Sequence, residues 1–127
     1  MRKSNLILFG IMLCNCLSAI PRARTVYMKD SDMEPVHVVL GRSTILSFPS
    51  KPNKVILGNK NQYAIEYIEN DIALAALQTS SRGNLFVYLE GRRFAFDLST
   101  VSAGGDEILM VRDESELQVK RWKLKRK

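Results

Sequence analysis

The sequence predicts an all-β protein, a single small β-sandwich of about eight or nine short, mostly antiparallel strands. Three observations carry this expectation. Apolar and aromatic runs of four to eight residues recur at roughly ten-residue spacing. Gly, Pro, Asn, Asp and Ser clusters separate them, and no run with helical periodicity extends to three turns. A chain of 127 residues can bury one core and not two. It shows no internal repeat and no low-complexity stretch.

The N-terminus reads as an address label. Met1 to Asn5 carries Arg2 and Lys3, and the apolar run Leu6 to Leu13 follows. That run falls short of the roughly 20 residues a membrane-spanning helix needs, so residues 1–19 are expected to be a secretory signal peptide cleaved after Leu17-Ser18-Ala19. The alternative is lipoprotein processing at Cys16, within Leu13-Cys14-Asn15-Cys16. Under the first cleavage both cysteines leave with the leader, and stability must come from burial alone.

Residues 20–34 mix Pro21 with several charges and read as a loose N-terminal arm. The sandwich is expected over residues 35–119. Pro35 opens the first strand, PVHVVL, which ends at Gly41. Thr44 to Phe48 is the second, with its inward phase ambiguous between Ile45 and the pair Leu46 and Phe48. Pro49 and Pro52 close it, since proline cannot donate to a ladder. Lys54 to Leu57 is a short strand stopped by Gly58-Asn59, and Tyr63 to Ile68 alternates cleanly. Ile72 to Leu77, IALAAL, has helix-favouring residues but is too short for a helix and lies between strand signals, so it reads as a strand.

The segment Gly83 to Leu98 reads as the central hairpin. Leu85, Val87 and Leu89 share one face of its first run, and Phe94, Phe96 and Leu98 share one face of its second. Gly91 supplies the positive φ of the turn between them. The first run is apolar on much of both faces, as expected of a strand covered on both sides. Glu107 to Arg112 is a further strand, and Glu116 to Val119 begins a last one that runs into the basic tail, residues 120–127.

Charge is distributed unevenly. The formal net charge is +6, yet six Lys/Arg lie in residues 120–127 and two in the leader; the 11 that remain face 13 acidic residues, a net of −2. The tail residues Lys120, Arg121, Trp122, Lys123, Lys125, Arg126 and Lys127, with Leu124 among them, are the candidate site for an acidic partner or an anionic membrane surface. A secreted protein has no routine access to nucleic acid, so none is expected as a direct partner.

No residue pattern supports an enzyme. His37, the single histidine, alternates with Val36 and Val38 and is expected to face solvent. Asp30, Asp32 and Glu34 lack the glycine and closing glutamate of a calcium loop. The serines lack a GxSxG elbow, and Gly104-Gly105 lacks the strand-to-helix setting of a phosphate loop. No metal or cofactor is expected.

The hairpin residues Gly83-Asn84-Leu85-Phe86-Val87-Tyr88 and Arg92-Arg93-Phe94-Ala95-Phe96-Asp97-Leu98, with Lys54-Val55-Ile56-Leu57-Gly58 ahead of Tyr63-Ala64-Ile65, resemble the N-terminal domain of the TrbG/CagX family. That family supplies the outer-membrane core-complex subunit of type IV secretion and conjugation systems, and Gly83 stands where it usually has threonine. The resemblance spans about Pro35 to Asp113; the N-terminal domain of pilus secretins is a close second. It implies a non-enzymatic periplasmic assembly subunit, oligomeric and packed against other secretion-system subunits, in the periplasm or at the outer membrane. The alternatives are a pilus- or secretin-associated module and a small periplasmic domain that binds a ligand or polyanion.

Overall fold

The computed structural model describes residues 23–126. The expected leader, its cleavage site, Cys16 and Lys127 lie outside the described residues. Nine strands are followed by one helix: β1 (Ala23–Met28), β2 (Met33–Val39), β3 (Ser43–Ser47), β4 (Lys54–Leu57), β5 (Tyr63–Ile68), β6 (Asp71–Ala76), β7 (Arg82–Leu89), β8 (Arg92–Val101), β9 (Ile108–Asp113) and α1 (Glu114–Lys125).

The strands form two sheets, one in the order β1-β9-β3-β6-β5 and the other β2-β8-β7-β4. The fold is the expected β-sandwich. Of the seven strand pairs, four are antiparallel; β1 with β9, β3 with β9 and β2 with β8 are parallel.

Alternation decides which side chains fill the space between the sheets. Leu85, Val87 and Leu89 of β7 and Phe94, Phe96 and Leu98 of β8 are buried. Val36, Val38, Leu46, Ile72, Leu74, Leu109 and Val111 are buried with them. Phe48 packs between Phe94 and Phe96 with ring centroids 6.1 Å from each, tilted against one and edge-on to the other. The open question of phase in β3 is answered by Thr44, Leu46 and Phe48, which turn inward while Ile45 is half-buried on the other side. Tyr63 is buried with its hydroxyl satisfied, donating to the Ser81 carbonyl oxygen at 2.9 Å and lying 3.0 Å from Thr100 Oγ1.

Two glycines answer local demands. Glu90 and Gly91 both have positive φ, +49° and +73°, as a tight two-residue hairpin turn requires. Gly83 lies against Gly58: a Cβ there would come within 3.1 Å of the Gly58 carbonyl oxygen and 3.3 Å of the Tyr63 ring.

Three expectations need correction. The arm assigned to residues 20–34 is not loose from Ala23 on. Ala23–Met28 is β1, and Met33 already belongs to β2. The alternation is present in β1, with Arg24, Val26 and Met28 turned inward, but an arginine at the rim conceals it. Pro35 falls inside β2, which tolerates it as an edge strand.

The strand expected from Glu116 to Val119 is instead part of α1, so the sandwich spans residues 23–113 and the tail is helical. Asp113 caps the helix by accepting the Ser115 N–H, Glu114 and Glu116 occupy its first turn, and Lys123 and Lys125 its last, all matched to the helix dipole. Finally, β7 is covered on one face only, since the molecule has two layers. Phe86 is half-buried and Tyr88 lies exposed on the outer face.

Candidate interaction surfaces

The two flanks of the sandwich, where the sheets expose their terminal strands, are built differently. On the flank of β1 and β2, Arg24 joins the sheets. Its Nε donates to Asp106 Oδ1 at 2.8 Å, its Nη2 to the Pro35 carbonyl oxygen at 2.9 Å, and its Nη1 pairs with Glu34. Asp106 also accepts the His37 main-chain N–H at 2.9 Å, and its carbonyl oxygen accepts from Thr44 Oγ1 at 2.6 Å.

Asp106 is the half-buried centre of this network. Burial pushes its carboxyl up, but the hydrogen bonds from Arg24 and the His37 N–H outweigh that and hold its pKa below the ordinary carboxylate value. The hydrogen bond with Asp106 in turn raises the Arg24 pKa. This flank is closed.

A second set of ion pairs fastens α1 to one end of the sandwich. Arg92 reaches Asp30 at 2.8 Å and Asp113 at 2.7 Å, and Lys29 approaches Glu114 at 3.4 Å. The hydrogen bond from Arg92 holds the Asp30 carboxyl below its usual range. Of Asp30, Asp32 and Glu34, the first therefore pairs with Arg92, the second accepts the Lys29 N–H within its own turn, and the third pairs with Arg24.

Beyond this first turn the helix leaves the body. No residue of α1 is buried, and Gln118 through Arg126 are all exposed. The structure brings together the tail residues Lys120, Arg121, Trp122, Lys123, Lys125 and Arg126 on this one element, with the Arg126 guanidinium 3.9 Å above the Trp122 ring. Leu117 and Leu124 align on one side and Val119 and Trp122 on another, so the cations surround the helix and no apolar stripe forms. Such a helix attracts anions from any direction but has no face suited to burial in lipid. No helix among the described residues is long and apolar enough to cross a membrane.

The flank of β4 and β5 has no counterpart to Arg24. A groove of about 390 Å³ opens there, lined by Lys54, Val55, Ile56, Leu57, Lys60, Ile65 and Tyr67. No sequence pattern marks this groove. Alternation shows which strands exist, but only the sheet order makes β4 and β5 terminal and adjacent.

His37 is exposed, as expected, with Nδ1 2.9 Å from Ser99 Oγ. The neighbouring Asp106 carboxylate takes the main-chain N–H of His37 and not a ring nitrogen, so the three do not form a catalytic relay. Among the described residues no group of three or more His, Cys, Asp or Glu is placed to hold a metal ion. Comparison with known proteins found no matching family model and no matching curated sequence.

Proposed function

We propose that this chain is a non-enzymatic assembly subunit of an envelope-spanning secretion or conjugation apparatus, exported to the periplasm and acting by protein–protein packing. The observation that carries the reading is α1. It is a cationic helix held to the sandwich by its first turn alone and fully exposed thereafter. A nearly neutral body, with 10 Lys/Arg against 11 Asp/Glu over residues 23–113, that carries its net positive charge on one projecting element suits docking to an acidic neighbour or to an anionic leaflet. The resemblance of Gly83 to Leu98 to the TrbG/CagX N-terminal domain supports the type of apparatus.

A second reading, a polyanion-binding periplasmic domain, is favoured by the placement of cations on all sides of α1. Oligomeric state separates the two. Light scattering on the protein purified from a secreting host should report assemblies larger than a monomer, alone or with envelope subunits co-expressed from the same locus. A strict monomer that binds polyanion and no such subunit would favour the second reading.

A further inference from the structure

The β4–β5 flank offers something that α1 does not, an unpaired sheet edge over an apolar groove. Its backbone parity follows from one hydrogen bond. The Leu77 N–H donates to the Gln62 carbonyl oxygen at 2.8 Å, and the antiparallel register continues from Tyr63↔Ala76 to Ile68↔Asp71. Ala64, Glu66 and Ile68 therefore exchange bonds with β6, while Tyr63, Ile65 and Tyr67 turn their N–H and C=O groups to the free edge.

The side chains of those same three residues lie toward the other sheet: Tyr63 buried, Ile65 half-buried and Tyr67 61% exposed. Across the groove, the Gly58 N–H donates to the Asn84 carbonyl oxygen at 2.8 Å. That parity leaves the main chain of Val55 and Leu57 facing outward from β4. Lys54 and Lys60 flank the groove, no carboxylate lines it, and neither lysine belongs to an ion pair among the described residues.

We propose that the β5 edge accepts an extended segment of a partner protein whose apolar residues are flanked by acidic ones, adding a sixth strand to the five-stranded sheet. The inference rests on reading the chain as a protein–protein module and names the partner chemistry of its open flank. Three features select the occupant. Outward main-chain groups at every second residue demand an extended strand. The groove beside Val55, Leu57, Ile65 and Tyr67 takes that strand's inward side chains, which must be apolar. Lys54 and Lys60 on the flanks of the groove then select carboxylates at the ends of the segment, because residues alternating with the inward ones fall on the outer face beside Glu66. A second copy is the poorer occupant, because pairing β5 with β5 would bring another Lys54 and Lys60 to the same flank.

The test uses a synthetic ten-residue peptide with a valine-threonine core flanked by glutamates, titrated into isotopically labelled protein purified from a secreting host. Amide resonances of Tyr63, Ile65 and Tyr67 should shift and gain protection from exchange, while those of Ala64 and Glu66, already paired, change little. Lys54→Ala and Lys60→Ala should each weaken binding about two- to fivefold, the range of exposed ion pairs. A peptide with lysine in place of glutamate should bind at least about tenfold more weakly, as like charges oppose it.

Ile65→Pro removes an N–H that has no partner within the chain, so the sandwich should persist and edge binding should vanish. If that variant fails to fold, the two lysine variants still decide. Shifts confined to α1, equal binding of the basic peptide, or concentration-dependent shifts at the edge amides without peptide would each overturn the proposal. A chain that stays monomeric and finds no envelope partner would sink the secretion reading while leaving these edge shifts in place. Absence of edge shifts would leave the anion binding of α1 untouched.

Discussion

Phe96 meets Phe48 edge-on between the two sheets and retains no exposed surface. Truncating it removes a buried ring and leaves a cavity that β7 and β8, tied by a continuous ladder, cannot close. Phe96→Ala should therefore cost about 3–5 kcal/mol in urea or thermal unfolding, and a loss below about 1 kcal/mol would contradict its placement in the core. Asp106 acts differently, by charge. Its folded-state pKa is depressed, so its contribution is present above the unfolded carboxylate value near 4 and is lost as pH falls through the folded value. Asp106→Asn should reduce stability at neutral pH by about 1–3 kcal/mol and flatten the acid limb of the stability profile below about pH 4. Unfolding measured across pH 2–7 checks both effects. Phe96 was legible in the sequence because alternation is local. The Arg24–Asp106 bond was not, because its partners are 82 positions apart and only the pairing of β1 with β9 brings them together.

At the scale of elements, α1 shows where strand-by-strand reading fails. IALAAL contributes to a strand against its propensity, since it lies between two strands it pairs with. Past Asp113 the expected strand gives way to a helix. There the local cues (an Asp cap, two glutamates, then leucine, glutamine, lysine and arginine) all favour helix, and no neighbouring strand overrides them. Asp113 both caps α1 and receives Arg92, so Asp113→Ala should lower the helical signal in circular dichroism and cost about 1 kcal/mol. Deleting residues 120–127 should leave the β signal and melting behaviour of the sandwich nearly unchanged, because no residue of α1 is buried. The same deletion should weaken sedimentation with anionic vesicles. The difference from full-length protein should shrink as salt rises, because exposed charges are screened over about 8–10 Å. Unfolding on truncation would make the helix structural.

The whole molecule was legible as to class and strand count, and illegible in its arrangement. β1 and β2 enter opposite sheets and pair in parallel with β9 and β8, strands far along the chain, so neither neighbour could be read from local pattern. That arrangement creates the asymmetry on which the functional reading depends: one flank tied by Arg24, the other open between β4 and β5, and a cationic helix leaving one end. The most direct measurement is photo-crosslinking in intact cells of the native host, with the reactive residue placed at Tyr67 or Trp122. Both are exposed, at 61% and 54%, one on the open flank and one on α1. An assembly subunit should give crosslinks to other subunits of one secretion apparatus from both positions and none from buried Phe96. A protein that stays uncrosslinked at both positions, and migrates only as its monomer, would contradict the account.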